Sequence, residues 1–315
     1  MARNRRKGRD VSGVFLLDKH LGDSSNFVLQ QIKRLFNANK AGHTGALDPL
    51  ATGMLPICLG EATKFSHFLL DADKTYEVTA ELGKRTTTSD ADGEVVAENE
   101  VVVSEEQLKA AIETFKGTTE QVPSIYSALK YQGKPYYYYA RQGIDIPRKS
   151  RPITIYSLEI NEFATPYVSL TVRCSKGTYI RSLVDDLGQV LGCGAYVTKL
   201  HRTEVANYPQ QKMMPFNELA EKISACESED EKYALLDSHL LPIDSAIAEF
   251  PLLQLDGAQV TRLVHGQSVK VSYAASGVGF YRAYDQQQTQ FLGLVEVLDT
   301  LEVKVKRLVS TADFA

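Results

Sequence analysis

The stretch AGHTGALDPLATGMLP, residues 41–56, sets a single carboxylate, Asp48, among glycines, small residues and prolines. An Asp-Pro step in such a segment commonly forms a turn, because aspartate hydrogen-bonds its own backbone and proline fixes φ. A solitary aspartate held in a tight loop can also serve as a nucleophile toward a bound electrophile. The segment lacks the Gly-Lys-Ser/Thr of a phosphate-binding loop. The local sequence alone favours the turn and leaves the nucleophile open.

Composition indicates a soluble globular protein. The chain has 315 residues, 43% of them hydrophobic, enough for one large domain and a small one. The basic start MARNRRKGRD is followed by no apolar segment typical of a secretory signal, and no apolar run approaches the roughly 18 residues of a membrane span. The four cysteines are too far apart in sequence for a CxxC pair, which predicts reduced thiols, no metal site and a cytoplasmic location: Cys58, Cys174, Cys193 and Cys226.

The net charge of −4 argues by itself against a nucleic-acid partner, but the distribution of charge argues for one. Residues 1–40 hold nine Lys/Arg against three Asp, and residues 122–202 hold eleven Lys/Arg against five Asp/Glu. Acidic residues concentrate at 90–106 and 218–249. Each basic segment is compatible with an ordinary solvated face. Two such segments beside acidic remainders also suit a groove that follows a phosphate backbone.

Hydrophobic periodicity predicts alternating helices and strands through about residue 210. A helix in SSNFVLQQIKRLF would begin after the cap Ser24, and one in SEEQLKAAIETFKG has a capping box and Gly117 as its stop. The first helix would bury one apolar face, made of Phe27, Val28, Ile32, Leu35 and Phe36. Strands are predicted in GVFLLDK, TYEVTAEL, PITIYSLEI, YVSLTVRC and AYVTKLHRTEV. The prediction is an α+β domain with a mixed, mainly antiparallel sheet flanked by helices.

The character of the sequence changes near residue 249. Beyond it lie short strand-like runs punctuated by glycines, namely SVKVSYA, GVGFYRAY, FLGLVEVL and LEVKVKRLV. Several short strands at this spacing predict a small β-rich module. We therefore expect one domain over residues 1–248 and a second over residues 249–315.

Other residues with chemical potential have ordinary interpretations. Arg181 falls near the start of a predicted helix, where an i,i+4 ion pair with Asp185 is the simplest assignment. Tyr76 and Tyr179 belong to a set of 16 tyrosines, and most tyrosines are half-buried packing residues. From position alone, these interpretations are favoured.

These fragments nevertheless occur together in one family. The sequence resembles the bacterial TruB family of tRNA pseudouridine synthases, which modify uridine 55 in the T loop. The resemblance runs through most of residues 11–210 in the family's order, and GHTGALDPLATG is its most specific block. The other matching blocks are GVFLLDK with SSN, DKTYEV with LGKRTTTSDADG, VPSIYSALKYQGKPYYYYARQG, and CSKGTYIRSLVDDLGQVLGCGAYVTKLHRT. This combination reverses the preference for a simple turn at Asp48.

The resemblance implies a role for each candidate residue. Asp48 would be the catalytic nucleophile, and Arg181 would pair with it and hold it ionised by lowering its pKa. Tyr76 would stack on the target uracil, while Tyr179 and Leu200 would line the uracil pocket. His43 would fill the space left by the everted nucleotide. No cofactor or metal is implied, the expected partner is tRNA at its T-arm, and the family precedent suggests a monomer.

Two regions outside the catalytic blocks carry further expectations. Residues 124–151 interleave basic residues with six tyrosines, which suits RNA binding, although a tyrosine-rich surface helix is the ordinary alternative. The resemblance implies that residues 249–315 form a PUA-like domain that contacts the acceptor-stem side of tRNA. The chain departs from the common family pattern at three places, which are Lys19-His20, Thr86-Thr87-Thr88 and Pro135.

Two other functions remain open at this point. One is a protein that binds the tRNA elbow and assists RNA folding, with catalysis secondary. The other is a glycosidase, which would need a second carboxylate across the scissile bond and is poorly served by the basic segments. The set Asp48, Tyr76 and Arg181 favours an RNA-modifying isomerase, because binding alone requires no nucleophile.

Overall fold

The computed structural model describes residues 8–272 and 274–309. Four residues of the basic N-terminal segment, Arg3, Arg5, Arg6 and Lys7, lie outside the described residues. No helix within the described residues is long and apolar enough to cross a membrane.

The larger part of the chain contains thirteen strands and seven helices among its described residues. The strands are β1 Gly13–Lys19, β2 Ala41–His43, β3 Ala51–Leu59, β4 Lys74–Leu82, β5 Lys84–Thr86, β6 Val95–Glu98, β7 Gly117–Gln121, β8 Lys130–Tyr131, β9 Lys134–Pro135, β10 Arg151–Ala164, β11 Tyr167–Cys174, β12 Ala195–Val205 and β13 Met214–Pro215. The helices are α1 Ser25–Leu35, α2 Ser66–Asp71, α3 Glu105–Glu113, α4 Tyr136–Ala140, α5 Ile180–Val190, α6 Phe216–Ser224 and α7 Glu229–Ser238. Short 3-10 turns cover Gly60–Lys64, Gln210–Lys212 and Ile243–Ile247.

A nine-stranded sheet organises this part of the molecule. Its order is β13-β1-β3-β12-β4-β11-β10-β7, and β2 pairs with β3 beside this path. The β1–β13 and β3–β12 pairs are parallel, while the other pairs are antiparallel. The sheet is therefore mixed and mainly antiparallel, and the expectation of an α+β fold is confirmed.

The helix caps predicted from the sequence are present. Ser24 Oγ accepts a hydrogen bond from the Phe27 N–H at the start of α1. Ser104 and Gln107 form the reciprocal capping box of α3. Two details of the prediction are wrong. The Phe27 side chain is 51% exposed, because Leu29 takes its place on the buried face. Helix α3 ends at Glu113, and Gly117 instead begins β7 with φ of 94°.

The C-terminal part is β-rich, as expected. It contains helix α8 Gly257–Val264 and strands β14 Leu252–Leu255, β15 Val269–Lys270, β16 Gly279–Asp285, β17 Phe291–Val297 and β18 Glu302–Leu308. The strands form one sheet in the order β14-β16-β17-β18-β15, with a core of its own. Leu294 of β17 packs instead in a cluster with Phe65 and Val14 of the larger part. Arg282 Nη1 also donates to Asp244 Oδ2 at 2.7 Å. These contacts join the two parts.

Helix α5 lies close against strand β12 through a glycine. A Cβ atom added to Gly188 would fall 2.1 Å from the Ala195 backbone nitrogen. No side chain fits at that distance, so Gly188 sets the spacing between α5, which carries Arg181, and β12, which carries Leu200.

We predict that Gly188→Ala lowers the free energy of unfolding by about 1–3 kcal/mol, the usual cost of overpacking. The clash should outweigh the better helix propensity of alanine, which is worth about 1 kcal/mol. Urea unfolding measures the change. The matched control is Gly257→Ala in α8, where an added Cβ meets nothing within 4 Å. Equal stability of the two variants would contradict this account of the packing.

Candidate active site

The loop between β2 and β3, residues 44–50, carries Asp48 and is held by hydrogen bonds on several sides. Ser25 Oγ accepts from the Leu47 N–H at 2.7 Å and donates to the Leu47 carbonyl at 2.8 Å. The Lys19 ammonium donates to the Ala51 carbonyl at 2.7 Å. The Gly22 N–H donates to the Pro49 carbonyl at 2.8 Å. The backbone around Asp48 is thus fixed by groups outside the loop.

Arg202 of β12 donates hydrogen bonds to the chain on both sides of Asp48. Its guanidinium donates through Nε to the Met54 carbonyl at 2.7 Å and through Nη2 to the Gly45 carbonyl at 3.0 Å. The residue is only 1% exposed, so these bonds form away from water. Gly53 is required opposite it, since an added Cβ would lie 2.3 Å from the Arg202 carbonyl oxygen. Sequence reasoning did not single out Arg202, the last residue but one of the family block AYVTKLHRT.

The loop opens on a cavity of about 220 Å³. Its lining includes five of the six candidate residues, namely Asp48, Tyr76, Tyr179, Arg181 and Leu200. They come from the β2–β3 loop, β4, the start of α5 and β12, and the sheet pairing of β4 with β12 brings them together. Residues 76 and 181 are more than a hundred positions apart in sequence, so only the fold can assemble this cavity.

His43 does not line the cavity. It lies on β2, opposite Ile57 of β3, and its Nδ1 is buried without a hydrogen-bond partner among the described residues. Burial and the nearby Arg202 cation lower the pKa of His43 below the ordinary histidine value. The imidazole is therefore neutral at pH 7, which suits a filler side chain better than a general acid.

Arg181 connects two carboxylates at the cavity floor. Its Nη2 lies 3.0 Å from Asp48 Oδ2, and its Nη1 lies 2.9 Å from Asp90 Oδ2. It also donates to the Thr88 carbonyl at 3.2 Å and to the Tyr126 carbonyl at 3.3 Å. The ion pair with Asp185 that helix spacing suggested is wrong, because Asp185 receives a bidentate pair from Arg85.

Asp90 is a second residue of this site that sequence reasoning missed. Its carboxylate is only 4% exposed and also accepts hydrogen bonds from the Thr88 hydroxyl and the Asp92 N–H. The segment docks on β12, where the Ala91 N–H donates to the Val197 carbonyl at 2.9 Å. Asp90 lies within the family block LGKRTTTSDADG, so the resemblance could have identified it. The unusual Thr86-Thr87-Thr88 run keeps the hydroxyl that holds Asp90.

The electrostatic balance at Asp48 differs from the expected one. Burial raises the pKa of the Asp48 carboxyl above its ordinary value, Arg181 opposes this shift, and Asp90 adds to it. The side chain is still 44% exposed, since it faces the open cavity. Arg181 lowers the pKa of Asp48, as expected, but burial outweighs this effect and the net shift is upward. Arg181 therefore limits a rise caused by dehydration.

The aromatic residues of the cavity differ in setting. Tyr76 is 9% exposed, and burial raises the pKa of its hydroxyl, so the ring is neutral. Tyr179 caps the start of α5, where its N–H donates to Gln121 Oε1 at 2.8 Å and its carbonyl accepts from Gln121 Nε2 at 3.1 Å. Leu200 is 7% exposed. The two tyrosine rings and the Leu200 side chain give the cavity that contains the Asp48 carboxylate a partly apolar lining.

Residues 124–151 reach this site directly. Besides the Tyr126 carbonyl on Arg181, the segment folds into the β8–β9 hairpin and the short helix α4. The Lys134 ammonium lies 4.9 Å from the centre of the Tyr138 ring. Tyr137 and Tyr138 are 41% and 40% exposed, so this segment presents aromatic and basic groups to solvent next to the cavity.

Comparison with protein families gives consistent matches along the chain. Residues 33–180 match the model described as TruB family pseudouridylate synthase (N terminal domain). Residues 181–248 match the tRNA pseudouridylate synthase B C-terminal domain, and residues 251–309 match the model named Pseudouridine synthase II TruB, C-terminal.

Individual proteins agree with these matches. The chain is 55% identical over 310 residues to the tRNA pseudouridine synthase B of Actinobacillus pleuropneumoniae, covering 98% of this chain and 100% of that one. It is 56% identical over 315 residues to the protein of the same name from Vibrio campbellii, covering 99% of each. A chain of a solved Cbf5-Nop10-Gar1 complex superposes with a TM-score of 0.73 at 25% identity, over 94% of this chain and 84% of that one.

A mixed sheet with an aspartate loop beside a buried arginine, matched by these family models, defines a pseudouridine synthase. The chain belongs to the TruB family.

We predict that Asp90→Asn lowers the rate of the chemical step about tenfold or more, because Arg181 loses its buried ionic partner. Since Asp90 raises the pKa of Asp48, the acid limb of the kcat/KM profile should also move to lower pH. If Asp48 is the nucleophile, activity requires its ionised form, so activity is present above that pKa and lost as pH falls through it. Single-turnover rates at several pH values measure both effects.

The matched control is Asp92→Asn, two residues away on the same segment and exposed. It removes a carboxylate that does not contact Arg181, so its rate above the acid limb should stay close to that of the parent. Its acid limb should move less than that of Asp90→Asn, because Asp92 raises the pKa of Asp48 less than Asp90 does. An Asp90→Asn protein with the parent's rate and the parent's acid limb would contradict the role given to Asp90.

Proposed function

We propose that this protein converts uridine 55 in the T loop of tRNA to pseudouridine, with Asp48 as the nucleophile. The observation that carries the proposal is the Asp48 carboxylate, 3.0 Å from the buried Arg181 guanidinium in a cavity walled by Tyr76 and Tyr179. The relatives named tRNA pseudouridine synthase B support tRNA as the substrate.

The target nucleotide has to leave its stack before the reaction. A uridine inside a folded loop is unreachable, and eversion costs a few kcal/mol. Tyr76 offsets this cost by stacking on the everted base, with Leu200 and Tyr179 enclosing it. His43, neutral and outside the cavity, occupies the space that the nucleotide leaves. The neutral state of the imidazole avoids placing an unpaired charge among stacked bases.

The reaction is an isomerisation in which the atoms balance without a cofactor. The bond between C1′ and N1 breaks, a bond between C1′ and C5 forms, C5 loses its proton and N1 gains one. An ionised Asp48 supplies the electron pair that starts this exchange, at the ring or at the sugar carbon. Arg181 keeps the carboxylate charged in a partly dehydrated site, and Asp90 keeps Arg181 in place.

The remaining surfaces bind the rest of the tRNA. Residues 124–151 act as a thumb that closes on the T-arm, with tyrosines for stacking and basic groups for phosphates. Residues 249–315 act as a separate PUA-like domain on the acceptor-stem side, after a catalytic domain of residues 1–248. The protein works as a cytoplasmic monomer, since one chain contains the whole cavity and its four cysteines are free thiols.

We predict that the parent protein releases tritium from T-loop RNA labelled at uridine C5 and that Asp48→Asn releases none. Binding of tRNA should survive the substitution, because the thumb and the C-terminal domain are unchanged. Filter binding and tritium release measure the two properties. Release by Asp48→Asn would reject the nucleophile, and absence of release from the parent would favour a protein that only binds and folds tRNA.

We further predict that residues 124–151 become protected from proteolysis when tRNA binds. Trypsin should cut the free protein after Arg141 or Lys149, which are exposed, and should cut the complex much more slowly. Mass spectrometry of the fragments identifies the sites. The exposed Lys109 on α3 serves as an internal control, since it lies outside the proposed RNA surface. Equal cleavage in both states would contradict the thumb.

A further inference from the structure

Ser127 is a buried residue of the cavity wall, and none of the interactions described so far involves its side chain. It is 3% exposed and lines the same cavity as Asp48 and Arg181. Its Oγ is buried and has no hydrogen-bond partner among the described residues. A buried hydroxyl without a partner is costly, and native proteins rarely keep one unless a partner arrives later.

The backbone around Ser127 is held by hydrogen bonds, which place its side chain at the cavity wall. The Ser127 carbonyl accepts from the Tyr137 N–H at 3.2 Å, and the Leu129 carbonyl accepts from the Tyr136 N–H at 2.7 Å. The preceding carbonyl, of Tyr126, accepts from Arg181 at 3.3 Å. Ser127 therefore sits between the proposed thumb and the arginine that faces the nucleophile.

The neighbouring hydroxyl belongs to Tyr179. Burial raises the pKa of Tyr179, and a weak hydrogen-bond interaction with the Ser127 hydroxyl opposes this rise. This contact falls outside normal hydrogen-bond geometry, so the Ser127 Oγ has no well-formed partner among the described residues. Both remain neutral near pH 7 and both lie in the cavity wall, so each is available to a ligand.

We propose that the Ser127 hydroxyl is a catalytic hydrogen-bond donor to a ring carbonyl oxygen of the bound uracil. This inference rests on the proposed function and deepens it. Addition of the carboxylate to the ring places negative charge on a carbonyl oxygen, and so does release of uracil from C1′. A donor fixed near that oxygen stabilises the charge by either route.

The geometry of the isomerisation also favours a donor on the carbonyl edge. Exchange of N1 for C5 corresponds to a half-turn of the ring about the axis through N3 and C6. That turn exchanges the two carbonyls and returns N3 to its place. A fixed hydroxyl donor therefore meets a carbonyl oxygen before and after the turn, and it can hold the detached base between the two steps.

The first test is Ser127→Ala in the full-length protein. We expect the single-turnover rate to fall about tenfold, the loss typical of one hydrogen bond made in the transition state. Binding of tRNA should be unchanged. Resistance to urea should be equal or greater, since the substitution removes an unpaired buried group. The matched control is Ser245→Ala, whose hydroxyl lies 3.3 Å from the Tyr208 hydroxyl. Ser245 does not line the cavity that contains Asp48, so the rate of this variant should equal the parent's.

The second test identifies the acceptor with T-loop RNA that carries 2-thiouridine or 4-thiouridine at the target. Sulfur accepts hydrogen bonds poorly, so a thio substitution at the contacted position should slow the parent and have little further effect on Ser127→Ala. Equal slowing of parent and variant by both thio substrates would overturn the proposal, and so would a Ser127→Ala rate equal to the parent's. Absence of turnover by the parent on unmodified RNA would reject the proposed function itself.

Discussion

The site depends on one guanidinium shared between two carboxylates. Arg181 is 7% exposed in its side chain, and it faces Asp48 in the cavity and Asp90 behind it. A buried guanidinium would be poorly held in position if its single ionic partner also had to react with the substrate. The second carboxylate, 4% exposed, holds the guanidinium in place, so that the first is free to meet a substrate. The arrangement separates the task of anchoring the arginine from the task of reacting.

The frame around this pair is built from backbone contacts between distant segments. Lys19 and Arg202 are buried cations that donate to carbonyls of the Asp48 loop, and Ser25 bonds Leu47 in both directions. Burial lowers the pKa of Lys19 to about 8, which is the electrostatic cost of placing an ammonium there. Gly53 of β3 packs against the backbone of Arg202, where an added Cβ atom would lie 2.3 Å from the Arg202 carbonyl oxygen.

Local features of the fold were predictable from sequence, and tertiary ones were not. The caps at Ser24 and Ser104 follow from short-range spacing, and alternation identified β4, β11 and β12. The prediction that Phe27 is buried was wrong because Leu29, and not Phe27, lies on the face of α1 that packs against the sheet. The resemblance to the family predicted the contact of Arg181 with Asp48, which the structure contains, whereas helix spacing alone predicted the wrong partner. Helix spacing offers Asp185, but Arg85, 100 positions away, takes that carboxylate through two hydrogen bonds.

The pKa of Asp48 shows why contacts alone do not decide the chemistry. A neighbouring arginine suggests a lowered pKa, yet dehydration in the cavity and the charge of Asp90 outweigh it. A carboxylate in this state is less well solvated than one in water and is therefore a stronger nucleophile. Closing the cavity over an everted base removes more water and strengthens each ionic contact inside it. The Tyr126 carbonyl of the proposed thumb accepts a hydrogen bond from Arg181. Closure of that segment on RNA would therefore move the Arg181 guanidinium and, through it, act on the Asp48 carboxylate.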